Sequence, residues 1–314
     1  MQNDDKRLST GPAVAANDAE VRLGLLMALI AYVSWGFVTI FWRELAHVPV
    51  YETICHRSLW SVVLVGLYLA VQGRLGEVAT VVADRRTLRI LAVSAFFLFI
   101  NWGGFVWAVS SGHVLEVSFG YFINPLMSVV LGLVVLGERL TGAQKVAIAL
   151  ALVAVGVELV LLGRFPVIAL YLASTFALYG YIRKTLPARP TPAYLVESMM
   201  HLTVALPVLV YLETHGEGHF FLDLRTSALL VLTGPVTAIP LILFAGAARR
   251  LNLATLGLMQ YFVPSIQFVL AFAYFGEELR PEKLVAFVII WVALAILTVD
   301  AIRRERARKA AAVS

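Results

Sequence analysis

Apolar residues gather in ten long windows along the chain, near 23–42, 51–72, 90–109, 115–136, 146–163, 165–182, 194–212, 228–248, 255–276 and 284–302, and polar residues are confined to short gaps between them. A bilayer's hydrocarbon core is about 30 Å thick and takes about 20 apolar residues per helix, which nearly all of these windows supply. Lipid offers the backbone no hydrogen-bond partners, so each window is expected to be an α-helix. The predicted architecture is an all-α membrane protein of ten transmembrane helices in one bundle.

Composition agrees with this. Hydrophobic residues make up 60% of the 314, and charged residues only 14%, against about 25% charged in soluble proteins. The net charge of +5 changes the picture only through its placement. With the N-terminus in the cytoplasm, 19 of the 25 Lys and Arg fall on the cytoplasmic side and five outside, with Arg57 left inside the second window. That is the positive-inside bias, and it puts both termini in the cytoplasm. The basic tail, residues 303–314, then reads as an anchor on anionic headgroups rather than a nucleic-acid arm. Residues 1–21 are polar and read as a disordered cytoplasmic N-terminus, and the first window reads as a spanning helix rather than a cleaved leader. Cys55, the only cysteine, allows neither an intramolecular disulfide nor a thiolate cluster.

The chain also repeats itself. Asn124-Pro125 running on to Leu136-Gly137-Glu138-Arg139-Leu140 is echoed by Val263-Pro264 running on to Phe275-Gly276-Glu277-Glu278-Leu279. Earlier in each half, Glu52-Thr53-Ile54-Cys55-His56 parallels Glu197-Ser198-Met199-Met200-His201, and Trp35-Gly36 parallels Tyr179-Gly180. The expected halves are 22–163 and 164–302, five helices each. An odd number of crossings inverts the second half, and inverted repeats place a site near the midplane between them.

Taken together, Glu52…His56-Arg57 with Trp60-Ser61, Asn101-Trp102, Gly120-Tyr121-Phe122-Ile123-Asn124-Pro125, Leu136-Gly137-Glu138-Arg139, Ala177-Leu178-Tyr179-Gly180 and Gln260-Tyr261 resemble the RarD family of EamA-type transporters, in the drug/metabolite transporter superfamily. The resemblance runs from about residue 22 to 302. It implies ten helices in two EamA repeats, cytoplasmic termini and an inner-membrane location, without naming a cargo. Gly103-Gly104 departs from the family pattern, where bulkier apolar residues are expected, and would leave extra room beside Asn101.

Ionisable groups inside a span cost roughly 2.5–3.5 kcal/mol each on insertion scales, so each calls for a reason. Glu52 and His56 share a helix face at i,i+4, as do Glu197 and His201 near the opposite surface. They read either as a symmetric pair of proton-coupling or gating sites or as interfacial ion pairs. Arg57 either faces the cavity, favouring anionic substrates, or latches helix 2 through Glu52, Glu116 or Glu158. Trp35, Asn101, Trp102, Tyr121, Asn124, Tyr179, Gln260 and Tyr261 are the expected cavity lining, with Pro125 and Pro264 kinking their helices. The small residues Ala147, Ala151, Ala154, Ala286 and Ala293 predict close packing of helix 5 on helix 10, or a homodimer contact.

No phosphate loop, HExxH or GxSxG motif is present, which argues against an ATP-driven pump or a hydrolase. The loop at 213–227, with His215, Glu217, His219 and Asp223, has no metal-ligand spacing and reads as solvated. No cofactor or metal is expected. The expected partners are lipid and a small-molecule substrate. The expected function is export of a small organic metabolite or drug, driven by protons through Glu52, His56, Glu197 and His201. The alternatives are uptake or exchange on the same scaffold, or a receptor or enzyme without flux.

Overall fold

The structure, a computed structural model, describes residues 11–276 and 281–313, and all secondary structure among them is helical. The elements are α1 (Gly11–Glu44), α2 (Val50–Val71), α3 (Leu75–Ala83), α4 (Arg85–Ser110), α5 (Val114–Val134), α6 (Gly142–Leu162), α7 (Val167–Thr185), α8 (Pro190–Thr214), α9 (Leu224–Ala248), α10 (Leu253–Met259), α11 (Phe262–Ala273) and α12 (Pro281–Val313). Among the described residues, eight segments are long and apolar enough to cross a membrane, against the ten expected; α10 and α11 together count as one, α7 is not among them, and Leu284–Asp300 adds a shorter apolar stretch. The chain is therefore a multi-pass helical membrane protein.

Each apolar window falls on helix, and the differences lie at the ends and in one interruption. α1 begins at Gly11, so residues 11–21, expected to be disordered, extend the first helix, and Glu20 in that extension pairs with Arg250 at 2.7 Å. Residues 1–10 lie outside the described residues. The short α3 was not foreseen; Val81 on its one apolar face packs with Leu91, Leu186 and Ala193. The ninth window is one span interrupted at Gln260 and Tyr261, which keep helical backbone angles while the hydrogen bonds tighten. α10 stops at Met259 and α11 starts at Phe262, which puts Pro264 in the first turn of α11, where a missing N–H costs nothing. Pro125, by contrast, lies within continuous α5.

Local signals fix several boundaries. Thr141 and Gln144 form a reciprocal capping box at the start of α6, and Asp223 and Asn252 cap α9 and α10. Gly137 (φ 63°) and Gly276 (φ 70°) take the left-handed conformation just beyond α5 and α11, where a Cβ would be strained.

Small residues set the closest approaches. Ala147, Ala151 and Ala154 of α6 are buried with Ala286 and Ala293 of α12 in one cluster, so that stripe is used within the chain and is not free for a second copy. Gly257 lets α10 lie against α5; a Cβ there would sit 2.7 Å from the Pro125 carbonyl oxygen. Gly104 accommodates the ring of Tyr171, whose hydroxyl donates to the Ile100 carbonyl at 2.7 Å, and Gly103 is exposed. The room expected beside Asn101 is thus filled on one side and faces outward on the other.

Candidate functional site

A cavity of about 460 Å³ lies between the helices, lined by residues of α1, α2, α4, α5, α7, α9 and the α10–α11 segment. Trp35, Asn101, Trp102, Tyr121, Asn124 and Gln260, six of the eight residues expected to line it, do so, joined by Arg57. The walls are mostly apolar, including Trp42, Phe105 and Phe176. Leu45, Ala46, Val48 and Val50 carry the cavity up to the α1–α2 connection.

Tyr179 and Tyr261 are placed elsewhere, fully buried behind the lining. Tyr261 donates to the Phe122 carbonyl at 2.9 Å, which ties the helix break to α5. Tyr179 stacks on Phe244 at 6.1 Å and belongs, with Tyr32, Trp35, Phe176 and Phe244, to an aromatic cluster at the bottom of the cavity. A helical repeat shows which residues face inward, but not which are covered by a neighbouring ring.

The polar lining is partly committed. Asn101 Nδ2 donates to the Leu172 carbonyl and to Thr175 Oγ1, both at 2.8 Å. Asn124 Oδ1 is buried without a partner. Arg57 stacks its guanidinium over the Trp102 ring, a favourable arrangement for a desolvated cation. Its Nε and Nη2 are shielded from solvent and have no hydrogen-bond partner. Two of the carboxylates considered for it are engaged elsewhere: Glu116 with Arg164 at 2.7 Å, and Glu52 with His219. Among the described residues Arg57 has no ion-pair partner.

The two glutamate–histidine pairs each find other partners. At the end of the bundle carrying the α8–α9 loop, the buried Glu52 accepts the His219 backbone N–H at 2.7 Å and lies 2.8 Å from His219 Nδ1, with His56 only at 3.8 Å. At the opposite end, Glu197 accepts from Ser94 Oγ at 2.7 Å and from the Tyr179 hydroxyl at 3.4 Å. It also sits 3.8 Å from Arg183, both side chains being fully enclosed. His201 Nε2 instead reaches the Ala95 carbonyl at 2.9 Å, which makes that nitrogen the donor.

Two features escaped the sequence. The 213–227 loop folds inward: Phe220 stacks on His56 at 5.1 Å and on Trp60 at 5.7 Å. Its Phe220-Phe221 pair, out of place in a solvated loop, was the available signal. The second is Glu138, just beyond α5. Its carboxylate accepts the N–H groups of Leu253 (2.7 Å) and Ala254 (3.0 Å) at the start of α10, where the helix dipole favours an anion.

Residues 22–160 match the EamA-like transporter family. The chain is 43% identical to Protein RarD of Streptomyces exfoliatus over 93% of its length and 94% of that protein's. It is 39% identical to Protein RarD of Escherichia coli K12, over 91% and 97%. A solved crystal structure at 15% identity superposes with a TM-score of 0.66 over 88% of this chain and 97% of the other, which shows a shared fold. With this bundle and the cavity between its helices, the chain belongs to the RarD family of EamA-type transporters and is a membrane transporter of the drug/metabolite superfamily.

Proposed function

We propose that the protein is a secondary exporter of small organic anions with an apolar or aromatic body, working by alternating access between two inverted repeats. The observation that carries this reading is Arg57: a buried cation with two unpartnered nitrogens in the wall of a largely apolar cavity. A cavity of this size suits a drug-sized solute held by apolar walls and a few polar anchors. An anionic group would complete the Arg57 fork, while Trp35, Trp42 and Phe176 take the body of the solute.

In this proposal the positive-inside bias orients the chain, with both termini in the cytoplasm of a plasma membrane. The α1–α2 end of the cavity then faces outside. The inner end is closed by the aromatic cluster over Glu197, Ser94, Tyr179 and Arg183. Rocking one repeat against the other would break that floor and expose the cavity to the cytoplasm. Glu197 carries the coupling proton in this scheme, surrounded by Arg183, Tyr179, Tyr194 and His201. Glu52 and His56 act at the outer gate by holding the 213–227 loop.

The test compares organic solutes in the medium and cytosol of cells lacking or overproducing the protein, at two external pH values. Export predicts that an anionic amphipath rises outside on overproduction, is retained on deletion, and moves more strongly at lower external pH. Depletion from the medium in proportion to protein level would instead establish uptake. No difference at either pH would remove the transport proposal for cellular solutes.

A further inference from the structure

Behind the cavity wall, at the α8–α9 end, three metal-ligating side chains converge. Glu52 and His56 stand one turn apart on α2, and Glu213 is in the last turn of α8. One donor atom from each lies within 4.8 Å of the others. His56 is only 3% exposed, yet neither of its ring nitrogens has a hydrogen-bond partner, and Glu213 Oε1 is equally shielded and unpartnered. Such orphaned polar atoms are rare in folded proteins because each forfeits its hydration. Here the two imidazole nitrogens of His56 and one oxygen of Glu213 are such atoms, in one cluster with Glu52, and Phe220 is stacked over the imidazole.

We propose that Glu52, His56 and Glu213 form a binding site for a divalent transition cation of the zinc type. One imidazole and two carboxylates are the mixed nitrogen and oxygen set that such ions accept, with water completing four-coordination. Ligand distances of about 2.0–2.2 Å separate tetrahedral donors by roughly 3.4 Å, so atoms within 4.8 Å of one another need to draw together by about 1.4 Å at most. His219 supplies the outer support. Its backbone N–H and Nδ1 hold both oxygens of Glu52, as partners behind a ligating carboxylate do. None of the three ligands lines the central cavity, so the ion is a fixture rather than cargo: it fastens the end of α8 and its following loop to α2.

The experiment uses the full-length protein, purified in detergent and stripped of metal, titrated with Zn²⁺ by calorimetry and with Co²⁺ by visible absorption. The expected result is one ion per chain, a Co²⁺ ligand-field band and a raised Tm. Glu213→Gln and His56→Gln should each weaken binding at least tenfold, His219→Gln less, and His113→Gln, on the remote α4–α5 connection, not at all. Glu213 is partly exposed, so its variant keeps a folded reference by elution profile even if His56→Gln does not. Absence of saturable binding to folded wild type would overturn the site, as would binding unchanged by Glu213→Gln and His56→Gln.

Discussion

The sharpest perturbation is Arg57→Gln, because the two readings of Arg57 assign it opposite effects. If Arg57 were the latch between helices, removing it would strand a buried carboxylate and cost about 3–5 kcal/mol of stability. In the structure its guanidinium lies over the Trp102 ring, with Tyr194, Cys55 and Tyr179 nearby, while Glu52 and Glu116 are satisfied by His219 and Arg164. Glutamine removes a desolvated charge and leaves neither of those carboxylates without its partner, so Tm in detergent should be unchanged or rise. Affinity for an anionic cargo should fall instead. A hydrogen bond to a charged group is worth about 1.5–3 kcal/mol, which is a loss of roughly 10- to 150-fold. Arg57→Lys should recover part of this, since lysine keeps the charge but not the planar fork. The assay is ligand-induced thermal shift with equilibrium binding of an exported anion, run beside the folded fraction of each variant. A fall in Tm by several degrees with cargo affinity intact would refute the reasoning and restore the latch.

Other outcomes follow from the packing and the caps. Glu197→Gln leaves Arg183 buried without its carboxylate and should cost about 3–5 kcal/mol, read as a lower Tm. Glu138→Ala removes the side chain that caps the start of α10 and should cost about 0.5–2 kcal/mol, read the same way. Gly234→Ala would put a Cβ 2.6 Å from the Trp60 carbonyl carbon, forcing α2 and α9 apart at a cost of about 1–3 kcal/mol. Asp84, the N-cap of α4, has its carboxyl held below the usual range by the Thr87 hydroxyl and the Arg86 N–H. A depressed carboxylate stabilises the fold above its unfolded pKa and loses that contribution as pH falls through the lower folded value. Wild type should therefore lose Tm faster than Asp84→Asn on acidification into that acid range.

What could be read from the chain follows from what lipid demands. Helices are compulsory there, so apolar windows locate them, and Ala147, Ala151, Ala286 and Ala293 foretold where two of them touch. Six cavity residues were legible because a polar or aromatic side chain mid-span has few places to go. The misses around the site share one cause: they depend on contacts distant in sequence. Nothing local marks that Phe220 folds back on His56, that Tyr261 binds the Phe122 carbonyl, or that Glu138 caps a helix more than a hundred residues later. The i,i+4 spacing put Glu52 beside His56, and the two do lie 3.8 Å apart, although His219 holds Glu52 more closely; His201 turns instead to the Ala95 carbonyl.

The most direct measurement is solute flux in vesicles containing only this protein and lipid, loaded with the anion identified from cells. The account predicts saturable efflux that responds to an imposed proton gradient and falls in Arg57→Gln vesicles holding equal amounts of folded protein. Saturable binding with flux no greater than in protein-free vesicles would contradict it and leave a receptor in place of a transporter.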